Sequence, residues 1–376
     1  MQRKIMEDLY QWYKCEDKKI LILKGTFGCG KTWAVNELVK NIDMKIPIYD
    51  DVNSENDIEE TLRKAYENCD TKSIIITSIV VSDLYEKIPI YYEWVSILEM
   101  YPLSFAEFCD ALTDIDVEHN IGSFNLYMMI GGMPEMVSYL ASAGNKALIY
   151  ERHIDMLKRI LRKIAGEDKT FYSKLWDICL WAAKYEPEDT SGFCLTAINR
   201  HARGRDYGTA MDTLIKYGIL LKIGRFDHIT DRINKNYRLV FGNTGFAIAM
   251  KINRENELYL WENHLSEMVI TSYIIVDIYR KFGRDKWIVE YWIRERGKAR
   301  VPIVLSKDVD GPYRTVMALV YAFHQCKKNI RLDSFLKLYK DARGIKVLLP
   351  IMPKTSILSN DCIYPEEVSH LLLKYI

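Results

Sequence analysis

Short runs that are apolar at every position, rather than alternating runs, mark the first hundred residues. Ile20-Leu21-Ile22-Leu23 and Ser73-Ile74-Ile75-Ile76-Thr77 have the pattern of strands buried on both faces of a parallel sheet. Ile46-Pro47-Ile48-Tyr49, ending in Asp50-Asp51, reads as a third short strand. Around them the helical period predicts helices over 1–18, with Ile5, Leu9, Tyr10 and Tyr13 on one face, over Trp33 to Lys40, and over Asn56 to Asn68. Strands alternating with helices predict an α/β fold whose parallel sheet binds ligands at the carboxyl ends of its strands.

From Ser104 to about Ala165 the pattern is helical, broken at Gly131-Gly132-Met133-Pro134. The cations at Arg152, Lys158, Arg159, Arg162 and Lys163 form the solvated face of one amphipathic helix. Helices over 172–185, near Cys194 to His201 and over Tyr207 to Tyr217 precede two strands, Ile219 to Ile223 and Tyr237 to Phe241, joined by the polar loop 225–236. Three helices and a two-stranded wing outline a winged helix. Arg203 and Arg205, in the basic turn before its third helix, would then meet DNA phosphates. The alternative is a protein-packing module with solvated arginines. From Leu258 onwards, a helix through Glu262 to Phe282, strands Trp287 to Ile293 and Val301 to Leu305, a helix near Thr315 to Cys326 and a strand Ile345 to Leu349 predict a further α/β domain.

Composition narrows the setting without choosing a partner. At 376 residues the chain exceeds one ordinary core, and its hydrophobic (49%) and charged (27%) shares are those of a folded protein. A net charge of +1 exerts no global pull towards nucleic acid. The N-terminus lacks a signal-peptide core, no run is long enough to span a bilayer, and the eight cysteines include no C-x-x-C pair. A cytoplasmic protein with reduced thiols is expected.

Gly25-Thr26-Phe27-Gly28-Cys29-Gly30-Lys31-Thr32 fits G-x-x-x-x-G-K-[ST], the phosphate-binding loop of P-loop NTPases. Strand before and helix after give it the required setting. Gly25, Gly28, Cys29, Gly30, Lys31, Thr32 and Trp33 are the expected nucleotide contacts. Loop amides and the helix N-terminus would hold phosphates, Lys31 would add charge, and Thr32 would ligate Mg²⁺. The thiol of Cys29 is expected to be accessible when the site is empty. ATP and Mg²⁺ are the expected cofactors.

With these residues on the page, the chain resembles prokaryotic AAA-like ATPases that end in a domain of unknown function with a restriction-endonuclease-like fold. Besides the phosphate loop, the resemblance rests on Tyr101-Pro102-Leu103-Ser104-Phe105-Ala106-Glu107-Phe108, Gly131-Gly132-Met133-Pro134-Glu135, Tyr237 to Gly245, Trp261-Glu262-Asn263 and Glu290-Tyr291-Trp292. It implies a P-loop NTPase core over 1–110, a helical lid over 111–169, a winged helix over 170–242 and a nuclease-like α/β domain over 243–376.

Three departures from the group bear on function. Its acidic strand end, which holds Mg²⁺ through water and orients the attacking water, has two readings here. Either that strand is missing, or Asp50 and Asp51 are a relocated acidic pair in which Asp51 faces the metal. No arginine stands between Arg63 and Arg152, where the group carries one that could meet the γ-phosphate. In the tail, Arg300-Val301-Pro302-Ile303 replaces the acidic strand of the group, leaving Glu290 as a lone carboxylate at a sheet edge. Nuclease activity is not expected. The expected function is a nucleotide-dependent switch with slow or no hydrolysis, contacting DNA or a protein through the winged helix. The alternative is a non-hydrolysing interaction module that keeps the loop for folding.

Overall fold

The computed structural model describes residues 3–42, 45–67, 71–91, 93–112, 121–142, 148–184, 198, 204–226, 237–255, 267–284, 286–294, 299–308, 314–322, 329–348 and 362–375. In chain order the first part contains α1 (Ile5–Lys14), β1 (Ile20–Lys24), α2 (Lys31–Lys40), β2 (Ile48–Tyr49), α3 (Glu55–Glu67), β3 (Ser73–Thr77), α4 (Leu84–Tyr91), β4 (Val95–Glu99) and α5 (Phe105–Ala111). Five helices and a hairpin follow: α6 (Ile121–Ile130), α7 (Pro134–Ala141), α8 (Ile149–Ala165), α9 (Lys169–Lys184), α10 (Gly204–Lys216), then β5 (Leu220–Arg225) and β6 (Tyr237–Phe241). The remainder comprises α11 (Thr244–Glu255), α12 (Glu267–Phe282), β7 (Ile288–Ile293), β8 (Arg300–Asp308), β9 (Arg314–Ala322), α13 (Ile330–Leu338), β10 (Arg343–Leu348), β11 (Cys362–Ile363) and α14 (Val368–Leu372).

Two compact units result. The first gathers Met1–Val117, Gly131–Ile149 and Thr209–Ile219; the second gathers Glu118–Ile130, Tyr150–Gly208 and Leu220–Ile376. The chain thus returns twice to the first unit, where we expected a continuous lid over 111–169 and a self-contained winged helix over 170–242.

The first unit is an α/β layer structure with an all-parallel sheet of order β2-β3-β1-β4. Its strands lack alternation because both faces are covered. Leu21 and Leu23 pack with Leu9, Trp12, Val35 and Leu38 of α1 and α2. Ile20 and Ile22 pack with Ile58, Leu62, Leu84 and Ile88 of α3 and α4 on the opposite face. The strand β4, which we had not expected, pairs with β1 from Ile20↔Val95 to Lys24↔Glu99. Its burial falls to intermediate after Val95, and Ser96 and Glu99 weaken the apolar signal.

The second unit carries a seven-stranded mixed sheet, β11-β10-β9-β8-β7-β5-β6. The expected wing, β5–β6, is the edge of this sheet: β5 runs parallel to β7 through Gly224↔Glu290 and Arg225↔Tyr291. An unpaired strand edge is a ready partner for another strand, and here β7 takes it. Helix α13 covers one face over Phe226, Trp292, Val304, Ala318 and Val320.

Two expectations for this unit are corrected. Residues 314–322 form β9, not a helix, paired with both β8 and β10. A central strand buried on both faces is apolar throughout, and such a run cannot be told from a buried helix by its period. Glu290 does not sit at a sheet edge: β7 lies between β5 and β8. Pro302, which has no N–H for the ladder, lies where β7 and β8 slip register between Glu290 and Trp292. The expected helix near 194–201 and the segment Trp261-Glu262-Asn263 lie outside the described residues, except for position 198.

Candidate functional site

Strand β1 lies between β3 and β4, so its carboxyl end opens onto the middle of the sheet edge. There the Gly25 N–H donates to the Thr77 carbonyl at 3.2 Å, and the Met100 N–H donates to the Lys24 carbonyl at 2.8 Å. A Cβ on Gly25 would stand 2.3 Å from the Met100 carbonyl oxygen, so only glycine lets the chain leave the sheet here. Left-handed residues follow at Gly28 (φ 75°) and Gly30 (φ 99°), turning the chain into the start of α2.

Lys31 opens α2 and is only 7% exposed. Its Nζ donates to the carbonyls of Gly25 (2.7 Å) and Thr26 (3.0 Å) and to Ser78 Oγ (3.2 Å), just past β3. Gly30 caps the helix without a side-chain bond, and the first turn contains no acid. The positive end of the helix dipole disfavours a cation there, and the three oxygens offset it.

The acidic pair is divided between two tasks. Thr32 Oγ1 donates to Asp50 Oδ2 at 2.9 Å. Asp51 adopts a left-handed conformation (φ 63°), and its Oδ1 accepts from Asn53 Nδ2. Asn53 Oδ1 in turn accepts the Ser78 N–H at 2.8 Å. The residue brought to Thr32 is therefore Asp50 rather than Asp51.

Cys29 is fully buried against the α1–α2 core, which corrects the expected accessible thiol. Its carbonyl accepts from Arg3 Nη1 at 3.1 Å. The same guanidinium reaches the Tyr101 carbonyl (2.7 Å) and Glu107 Oε1 (3.1 Å). Ser104 and Glu107 form a capping box at the start of α5, which explains the S-x-x-E spacing within Pro102-Leu103-Ser104-Phe105-Ala106-Glu107. The Leu103 N–H donates to the Gly132 carbonyl at 2.7 Å, and a Cβ on Gly132 would stand 2.1 Å from the Leu103 oxygen. Pro134 begins α7 at its first turn and lies 3.5 Å from the Cβ position of Gly30. Both motifs thus meet behind the glycine-rich loop 25–32.

Comparison with protein-family models and with curated proteins finds no match.

Trp33 follows Thr32 on α2 and is 42% exposed. Lys24 is turned away from the loop, donating to the Val80 carbonyl at 3.1 Å, pairing with Glu99 at 3.5 Å and lying over the Tyr85 ring. Arg203 lies outside the described residues; Arg205 is in the first turn of α10, and its side chain is likewise outside them. Sequence reasoning missed Arg3, Asn53 and Tyr217 as parts of this site. No local pattern marks them: Arg3 bonds the Cys29 carbonyl and Tyr217 packs on Phe27 across long stretches of chain, and Asn53 links Asp51 to Ser78.

Proposed function

We propose that this chain binds ATP with Mg²⁺ as a nucleotide-dependent switch of the AAA-like group it resembles, with slow or no hydrolysis. The observation that carries the reading is Lys31, a nearly buried cation inside a left-handed glycine turn at an acid-free helix N-terminus. The donor set fits a triphosphate: Lys31 would exchange its carbonyl partners for phosphate oxygens. Because the Thr32 hydroxyl donates its proton to Asp50, its lone pairs remain available to the metal. Mg²⁺, when bound, would neutralise phosphate charge.

Slow turnover follows from what stands around these groups. Arg3 is committed on the carbonyl side of the loop, to Cys29, Tyr101 and Glu107. Glu99 is paired with Lys24. The carboxylates at the site, Asp50 and Asp51, are engaged with Thr32 and Asn53, and the side chains of Asn53 and Ser78 are neutral hydrogen-bonding groups and poor bases for activating water. DNA or protein contact through 170–242, with Arg203 and Arg205 as phosphate contacts, belongs to the same proposal, as does a cytoplasmic setting. No helix among the described residues is long and apolar enough to cross a membrane.

One observation favours the second reading, an interaction module that keeps the loop for folding. The Lys31 ammonium is already satisfied by three protein oxygens. Thermal melting separates the two. ATP with Mg²⁺ should raise Tm, and Lys31→Ala should abolish that rise while still melting cooperatively. An unchanged Tm in the unsubstituted protein selects the module.

A further inference from the structure

The end of α10 is built into the rim of the phosphate loop, and neither the motif nor the proposed switch accounts for it. Phe27, at the tip of the loop, is 8% exposed, and its ring packs on Tyr217 at 5.2 Å between centroids. The Tyr217 hydroxyl donates to the Asn53 carbonyl at 3.0 Å. The preceding carbonyl, that of Lys216, accepts from both Val80 N–H (2.8 Å) and Val81 N–H (3.2 Å), and Lys216 Nζ pairs with Glu55 at 2.9 Å.

The turn itself is a Schellman cap. The Gly218 N–H donates to Ile215, the Ile219 N–H donates to Leu214, and Gly218 is left-handed at φ 67°. The negative end of α10 therefore meets backbone donors after β3, while Tyr217 bridges the loop tip and the turn after β2.

We propose that Tyr217 is a positioning residue of this site: it holds the loop tip and the Asp51–Asn53 turn in register and passes the state of the site to α10. The first half rests on the contacts alone; the second rests on the nucleotide reading above. The link is Lys31. Its ammonium bonds the Thr26 carbonyl, beside Phe27, and the Ser78 hydroxyl, whose own N–H is held by Asn53. A phosphate that draws the ammonium off these acceptors loosens both contacts that Tyr217 closes. Helix α10 runs from Gly204 to Lys216, so a shift at its last turn acts along the helix.

Amide hydrogen exchange, read by peptide, tests both halves on the full chain, with nucleotide binding established separately by titration calorimetry. Without nucleotide, Tyr217→Leu should speed exchange over 26–31 and 51–54 by about fivefold or more. Tyr217→Phe, which keeps the ring on Phe27, should do so over 51–54 only. With saturating ATP–Mg²⁺, exchange over 209–216 should change in the unsubstituted protein and not in Tyr217→Leu. Unchanged exchange at 26–31 and 51–54 in nucleotide-free Tyr217→Leu overturns the positioning role whatever the ligand. Nucleotide bound with 209–216 unaltered in the unsubstituted protein overturns the relay. Loosened segments together with no detectable nucleotide binding uphold the positioning role and reject the nucleotide reading.

Discussion

Arg3 and Glu107 form an ion pair at 3.1 Å behind the glycine-rich loop 25–32, with side chains 3% and 12% exposed. The same guanidinium bonds the carbonyls of Cys29 and Tyr101, so one side chain ties the N-terminus to the loop, the end of β4 and the cap of α5. Removing one partner of a buried pair leaves the other charge uncompensated, at a cost of about 3–5 kcal/mol. Arg3→Ala should therefore lower unfolding free energy by roughly that amount in urea titrations. Arg3→Lys should recover less than half, because an ammonium cannot reproduce the planar fork that spans three acceptors. Full recovery by lysine would show that charge alone matters there.

The two neighbouring acids should separate cleanly in a metal titration. Asp50 orients the Thr32 hydroxyl, whereas Asp51 is engaged with Asn53. Under the proposed ATP–Mg²⁺ reading Thr32 would be a metal ligand, and loss of a group that orients a metal ligand typically costs about 10–100-fold in metal affinity. Asp50→Asn should raise the Mg²⁺ concentration needed for tight ATP binding by about tenfold or more, and Asp51→Asn by less than about threefold. Calorimetry of ATP binding across a Mg²⁺ series measures both. The opposite order would restore Asp51 as the residue nearer the metal.

How much of this could be read in advance differs by element. Strands β1 and β3 were legible because consecutive apolar residues there must bury both faces, and the loop was legible because its glycines precede a Lys-Thr at a helix start. The same logic failed at β9, where Thr315 to Ala322 is equally apolar and no charge or turn residue betrays a strand. In the site, Thr32 was assigned by spacing, but the choice between Asp50 and Asp51 depended on a left-handed residue after β2. Arg3 and Tyr217 were invisible for another reason. Each acts across distant parts of the chain, and single-sequence periodicity reports only neighbours along one element.

A buried histidine in the second unit gives the stability of the chain a definite pH dependence. His153 on α8 is 1% exposed; its Nε2–H donates to the Ile130 carbonyl at 2.7 Å and its ring meets Phe246 edge-on. Burial lowers its pKa from 6.5 to about 4, and the carbonyl bond offsets this only in part. Nδ1 has no partner among the described residues, so a proton there would be an uncompensated buried charge. Between these two values the unfolded chain binds the proton and the folded chain does not, so stability rises with pH across that window. The contribution is complete above pH 6.5 and is lost as pH falls towards 4. From pH 7.5 to pH 5 the loss from this residue should be about 2 kcal/mol. His153→Gln keeps an N–H for the Ile130 carbonyl but cannot titrate, so it should lose about 2 kcal/mol less than the unsubstituted protein over the same interval. Urea titrations at the two pH values measure the difference. Parallel losses in the two proteins would mean that the folded imidazole takes up its proton over the same pH range as the unfolded one, so that burial does not hold its charge off.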